Sequence, residues 1–226
     1  LKHGEASVEQ MMQNVSAIQE SVDLASEVIF NLRDFLHDRR ARLAATDIGR
    51  MVEHATKMVQ PRPDSVSVRI SFDDAEGLLE RDPPLEVHVD RVQTTYVLIN
   101  LLVNAIEACT NAETDEPEVQ IQLRSHTSPK YVVLSVSDNG PGLPEGDPEK
   151  VFERFFTTKK HGFGIGLAIC RDVIGRQRGK IQAKNNPVVG CTFTFSMLVQ
   201  SDQVEEETRL LDEAADEIMH DVERDD

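Results

Sequence analysis

The chain has 226 residues, enough for one domain of ordinary size with appendages and a core able to fold unaided. At 39% hydrophobic and 28% charged residues it reads as a soluble globular protein, and its longest purely apolar runs are too short to cross a bilayer. A formal net charge of −16 works against a nucleic-acid partner, because phosphates would be repelled over most of the surface.

The opening Leu-Lys-His-Gly shows neither an initiator Met nor a signal-peptide pattern, so the reading is of a fragment whose upstream part has been removed. From Val8 to Leu36 the apolar residues keep a strict heptad. Val8, Val15, Val22, Ile29 and Leu36 hold one position, and Met11, Ile18, Ala25 and Leu32 the other. That period predicts a helix paired lengthwise with another helix. Met12, Phe30 and Phe35 widen the apolar face toward that of a four-helix bundle. No second helix of matching length precedes it, so its partner is expected from a second chain, as a homodimer, or from upstream sequence. The domain expectation is therefore 1–45 for the bundle helix, 46–200 for the main domain and 201–226 for an acidic tail.

Thr46-Asp47 predicts a helix start, with helix to about Met58, ended by Pro61 and Pro63. SVSVRISF from Ser65 and LEVHV from Leu85 alternate as strands. Asp90 to Thr110 reads as a long buried helix. VQIQLRS and YVVLSVS form a strand pair turning near Ser128-Pro129, and a helix from Gly166 to Arg176 precedes the strands KIQAK and CTFTFSML. Without a regular βαβ alternation, the expected fold is α+β: a mixed, mostly antiparallel sheet covered on one face by helices. Cys109, Cys170 and Cys191 are widely spaced in apolar contexts and read as reduced core thiols of a cytosolic protein. Residues 201–226 carry twelve Asp/Glu against two Arg, which reads as an amphipathic terminal helix or linker.

Four motifs lie between residues 100 and 169: NLLVNAIEAC, DNGPGL, FERFFTTKK and HGFGIGLAI. Asn100 and Asn104 are four apart and share a helix face. An Asn amide oxygen is a neutral hard ligand suited to Mg²⁺, although an Asn pair can equally cap neighbouring backbone. Asp138 ends a Val-rich strand, where a carboxylate can accept from an exocyclic amine such as adenine N6 and so select adenine over guanine. Gly140 and Gly142 permit close backbone approach. Gly162, Gly164 and Gly166 fall on alternate residues and run into a helix beginning with Leu167, an arrangement whose bare N–H groups can cradle phosphates. The run is neither GxGxxG after a strand nor a P-loop ending in Gly-Lys-Ser/Thr. Phe152, Phe155 and Phe156 are expected to anchor a lid, with Lys159 and Lys160 reaching the β- and γ-phosphates.

These motifs resemble the N, G1, F and G2 boxes of the histidine-kinase ATP-binding domain, of the Bergerat-fold ATPase superfamily. The resemblance spans roughly residues 46–199 and includes GCTFTF from Gly190, similar to the closing Gly-x-Thr-x-Phe strand. The upstream SEVIFNLRDFL looks like the second helix of the dimerisation bundle. The spacing and the FFTTK wording are most similar to oxygen-sensor and nitrogen-regulatory kinases. The resemblance implies Mg-ATP as cofactor, with Asn104 as the Mg²⁺ ligand, Asn100 supporting the phosphates and Lys159 assisting transfer. Asp138 would contact adenine, Gly142 shape its pocket, and Thr192 reach the base through water. Gly162, Gly164 and Gly166 would hold phosphates, with Gly140, Lys160 and Leu167 completing the set. The implied reaction moves the γ-phosphate to a histidine, and then to an Asp of a response-regulator receiver domain.

Hydrolytic branches of the superfamily carry a Glu four residues before the Mg-binding Asn, as general base for water. Here that position is Asn100, which cannot take a proton at neutral pH, so transfer to another acceptor is favoured over hydrolysis. Two departures stand out. Many relatives place a Lys three residues after the Mg-binding Asn, where this chain has Glu107. No His-Glu/Asp-x-x-x-Pro segment is present; neither His3 nor His37 fits, so the acceptor histidine is expected upstream. His161, beside the phosphate loop, is a lone histidine and carries no assignment. The rivals are a hydrolytic ATPase of the same fold and a non-catalytic scaffold derived from a kinase.

Overall fold

In the computed structural model, residues 41–59, 68–80, 82–111, 116–127, 130–159 and 162–199 are described. The heptad segment, Lys160, His161 and the acidic tail lie outside the described residues, and with them the expectations placed there.

Two short strands open the described chain's organisation. β1 (Ala44–Asp47) pairs antiparallel with β3 (Glu86–Val89), Ala44 opposite Val89. Between them stand α1 (Ile48–Val59) and β2 (Arg69–Asp73). Asp47 starts α1 as expected, its Oδ1 accepting the Arg50 N–H at 3.0 Å. The strand immediately before it was not foreseen; Ala-Ala-Thr-Asp has no alternation to betray it.

The main sheet has five strands in the order β2-β4-β5-β7-β6. β4 (Glu118–Thr127), β5 (Lys130–Asp138), β6 (Ile181–Asn185) and β7 (Cys191–Leu198) are antiparallel to their neighbours, while β2 lies parallel to β4. The sheet is thus mixed and mostly antiparallel, as its sequence pattern predicts. Strand alternation sorts its residues onto two faces. Ile121, Val136 and Phe193 fall in one cross-strand row, and Leu123, Leu134 and Phe195 in the next; both rows belong to the core.

Among the described residues, three helices contribute to that core: α1, α2 (Arg91–Asn111) and α3 (Gly166–Arg176). α2 is long and apolar enough over Arg91–Thr110 to cross a membrane by length and composition, yet Val97, Leu98, Leu101 and Leu102 are fully buried within the domain. Each such side chain contributes roughly 2 kcal/mol of apolar burial. The same packing leaves Asn100, Asn104 and Glu107, spaced three and four apart, together along the side of α2 nearest α3 and the lid. A 3-10 turn (Pro148–Phe152), capped by Asp147 accepting from the Glu149 N–H at 2.9 Å, seats Phe152 in the core beside Phe193.

Candidate functional site

The site lies where the C-terminal end of β5, the start of β7, the middle of α2 and the start of α3 converge. At one end is Asp138, only 4% exposed. Its Oδ1 accepts the Gly140 N–H at 2.9 Å and the Cys191 N–H at 3.4 Å, and its Oδ2 accepts the Cys191 thiol at 3.1 Å. A carboxylate this deep in a fold needs such donors to remain there. They also fix its orientation. The next residue, Asn139, ties β4 to the turn: its Oδ1 accepts the Glu118 N–H at 2.9 Å and its Nδ2 donates to the Glu116 carbonyl at 3.1 Å.

The glycines of the turn are packed against their surroundings. A Cβ on Gly140 would stand 3.1 Å from Ala108 of α2, and one on Gly142 would stand 2.8 Å from Asn185 Oδ1. That Asn185 oxygen accepts the Leu143 N–H at 2.6 Å, holding the segment that follows the turn onto the β6–β7 hairpin.

Thr192, expected to reach the base through water, lies away from the Asp138 carboxylate. Thr192 is the register partner of Ser137, one residue before Asp138, and both lie on the sheet face opposite the Asp138 carboxylate. Its hydroxyl bonds Ser137 Oγ at 2.9 Å and Asn186 Oδ1 at 2.6 Å. The residue of β7 that does meet Asp138 is Cys191. Burial first, and then the Asp138 charge, push the Cys191 thiol well up, so it stays a neutral S–H donor; burial does the same to Cys170. Strand alternation between Cys191 and Thr192 was the available signal, outweighed by the Gly-x-Thr-x-Phe wording.

At the other end, Asn104 Nδ2 donates to Asn100 Oδ1 at 2.9 Å, while Asn104 Oδ1 accepts from Lys159 Nζ at 2.5 Å. The same ammonium is 2.5 Å from Glu107 Oε2. Lys159 and Glu107 are each 44% exposed, so the pair is screened and worth about 1 kcal/mol or less. A ligand bearing several negative charges can therefore draw the lysine away. Lys160 lies outside the described residues.

α3 begins at Gly166, and no side chain caps its N-terminus. The first-turn N–H groups, Leu167 among them, have no intrahelical acceptors; the Leu167 side chain itself packs on the core. Gly166 abuts the Asn pair, since a Cβ there would sit 2.6 Å from Asn100 Nδ2. Gly166→Ala is expected to leave the thermal midpoint within a few degrees, alanine being the better helix former by about 1 kcal/mol. It should displace Asn100 and weaken ATP binding by about tenfold, or about 1.4 kcal/mol, measured by calorimetric titration. Gly164 O accepts the Phe155 N–H at 2.7 Å, and Gly162 lies against Thr157 and Lys159. These contacts fold the glycine run back onto the lid. Of the three lid phenylalanines, Phe152 is buried and Phe156 packs on the core, whereas Phe155 is 74% exposed and anchors nothing. Arg171 of α3 stands 5.3 Å over the Phe152 ring and donates to its carbonyl at 3.0 Å, fixing the lid's base.

The structure thus brings Asn100, Asn104, Lys159 and Gly166 together, and separately Asp138, Gly140 and Gly142. The first group suits a hydrated cation and phosphates, the second a flat base with an exocyclic amine.

Residues 89–201 match the family described as histidine kinase-, DNA gyrase B-, and HSP90-like ATPase. Sensor histidine kinase TmoS of Ectopseudomonas mendocina is 30% identical over 177 residues, 78% of this chain and 18% of TmoS. Sensor protein FixL of Bradyrhizobium diazoefficiens is 30% identical over 193 residues, 81% of this chain and 36% of FixL. The catalytic domain of histidine kinase ThkA superposes with a TM-score of 0.58 at 30% identity, over 70% of this chain and 96% of that domain. ThkA in complex with response regulator protein TrrA gives a TM-score of 0.61 at 26% identity, over 79% of this chain and 49% of the other. The chain spans well under half the length of these two curated relatives, 18% of one and 36% of the other. The Bergerat fold expected from the four motifs is the fold observed.

Proposed function

Because the chain belongs to the family of histidine kinase-, DNA gyrase B-, and HSP90-like ATPases, we propose that it is the nucleotide-binding catalytic part of a sensor histidine kinase. In this reading the chain binds Mg-ATP and presents the γ-phosphate to a histidine carried on a helix upstream of this chain. The observation that carries the reading is Asn100. It is hydrogen bonded to Asn104 and abuts Gly166, at the position where a hydrolytic relative needs a carboxylate base. An amide there can orient a phosphate oxygen but cannot take a proton from water, which favours transfer over hydrolysis.

Asp138 accepts a hydrogen bond from the adenine amine in a pocket floored by Gly140 and Gly142. The Gly162–Gly166 run and the open first turn of α3 surround the phosphates with N–H donors. The residues also fit Mg²⁺. The ammonium of Lys159 already stands as a cation on Asn104 Oδ1. Among the described residues no three His, Cys, Asp or Glu side chains are grouped to hold a metal, so the remaining ligands would be phosphate oxygens and water. When bound, Mg²⁺ would neutralise charge on the β- and γ-phosphates. Lys159 then supplies a second positive charge to the γ-phosphate, and Asn100 holds Asn104 in orientation. Catalysis is positioning and charge neutralisation, with the nucleophile supplied from elsewhere.

Residues 1–45, through the heptad from Val8 to Leu36, would pair the chain as a homodimer, residues 46–200 would hold the nucleotide site, and the tail from 201 would be a linker or docking helix. A response-regulator partner accords with the ThkA–TrrA complex, and a cytoplasmic location belongs to the same reading. The test is equilibrium binding of ATP with Mg²⁺, together with phosphate release. Binding in the micromolar range with release at background is expected. Absence of binding would leave a scaffold, and steady release would leave a hydrolytic ATPase.

A further inference from the structure

We propose that Glu107 is a positioning residue of the nucleotide site: with Asn104 it forms a cation seat that Lys159 fills in the free protein and yields when a magnesium-bound triphosphate enters. The inference rests on the Mg-ATP reading above and deepens it.

Glu107 stands three residues after Asn104 on α2, so the two side chains neighbour one another on the helix surface. Lys159 Nζ bridges them, 2.5 Å from Asn104 Oδ1 and 2.5 Å from Glu107 Oε2. The oxygen that the ammonium occupies is the one a hard divalent cation would need. Two cations cannot share that oxygen, because at such separations their repulsion outweighs what either gains from a neutral amide. Lys159 and a bound divalent cation therefore exclude each other at Asn104.

Lys159 is placed to make the exchange. Among the described residues its backbone is held locally, by its N–H donating to Thr157 Oγ1 at 3.1 Å, and its side chain is half exposed. Once it leaves for the phosphates, the Glu107 carboxylate remains beside Asn104. A carboxylate facing a polyphosphate with no cation between them is repulsive; with a divalent cation between them it is attractive. Glu107 thus penalises metal-free ATP twice. It holds back the lysine that ATP needs, and it repels the phosphates directly. A basic residue at this position would serve metal-free and magnesium-bound nucleotide alike, so the acidic residue makes the site strict about magnesium.

The test is equilibrium titration of the full chain with a non-hydrolysable ATP analogue, once with Mg²⁺ and once with EDTA, reading the ratio of the two dissociation constants. Glu107→Gln is expected to tighten metal-free binding by about tenfold and to shrink the ratio accordingly, by the Coulomb argument above. Glu107→Asp keeps the charge and should retain most of the ratio. In a Lys159→Gln background the gain from Glu107→Gln should be smaller, because no lysine is left to release. Glu107 is half exposed on a helix, and Gln has similar helix propensity, so Glu107→Gln is expected to move the thermal midpoint by no more than a few degrees. If the unsubstituted chain binds the analogue with Mg²⁺ but Glu107→Gln leaves the ratio unchanged, this inference alone is overturned. A ratio that falls equally in Glu107→Asp also overturns it, since charge is then not the cause. If the unsubstituted chain binds no analogue under either condition, the proposed function falls and takes the inference with it.

Discussion

Replacing Asp138 with asparagine is expected to weaken ATP binding by about a hundredfold, equivalent to about 2.7 kcal/mol, with much less effect on GTP. Asp138 is almost wholly buried, and three donors converge on it: the N–H groups of Gly140 and Cys191 and the Cys191 thiol. An asparagine can satisfy the two backbone donors only by turning its oxygen toward them. Its NH₂ then faces both the Cys191 thiol and the base, where a carboxylate oxygen stood. Against adenine this sets donor against donor. Against guanine, whose corresponding group is a carbonyl, the mismatch is relieved. The ATP-to-GTP affinity ratio therefore collapses, which competition titration would show. An unchanged ratio would mean that the base lies elsewhere.

The second large effect is expected at Gly190, between the β6–β7 hairpin and the Asp138 turn. Gly190 has φ of +84°, and a Cβ there would lie 1.8 Å from the Asp138 carbonyl oxygen. Gly190→Ala combines about 1–2 kcal/mol for a left-handed backbone with about 1–3 kcal/mol for overpacking. A loss of about 3 kcal/mol in denaturant unfolding is expected, with ATP binding lost as well because the Asp138 backbone must move. Gly77 provides the control. Its φ is +64° but nothing lies within 4 Å of its added Cβ, so Gly77→Ala should cost only the backbone part. Equal losses at the two glycines would show that the close approach at Asp138 is not what constrains the hairpin.

Most of the sheet and both site helices were legible because their signals are periodic. The alternation of VQIQLRS, YVVLSVS and CTFTFSML gave β4, β5 and β7. The apolar run with Asn100 and Asn104 gave α2, and the glycines ending at Gly166 gave the start of α3. β1 escaped because four residues of Ala-Ala-Thr-Asp are held by pairing with β3, a contact 39 to 45 residues away that no local pattern records. The exchange of Thr192 for Cys191 beside Asp138 has a different origin. A motif gives the residue's place in the strand, whereas its facing follows from pairing register, and the register sets Thr192 against Ser137. Phe155 fails as a lid anchor because its positive φ of 69° turns it away from the packing that holds Phe152 and Phe156. Glu107 was visible as a departure from the family pattern, but its role was not. What it does depends on Lys159, more than fifty residues later, folding back to meet it.

The most direct test of the account is phosphoryl transfer itself. The chain, extended by the upstream helix on which the acceptor histidine is proposed to lie, would be incubated with γ-labelled ATP and Mg²⁺ beside an Asn104→Ala control. Acid-labile, base-stable label on the protein, absent from the control, is the predicted result. Unlabelled protein that nevertheless binds Mg-ATP, whether or not phosphate is released, would contradict the account.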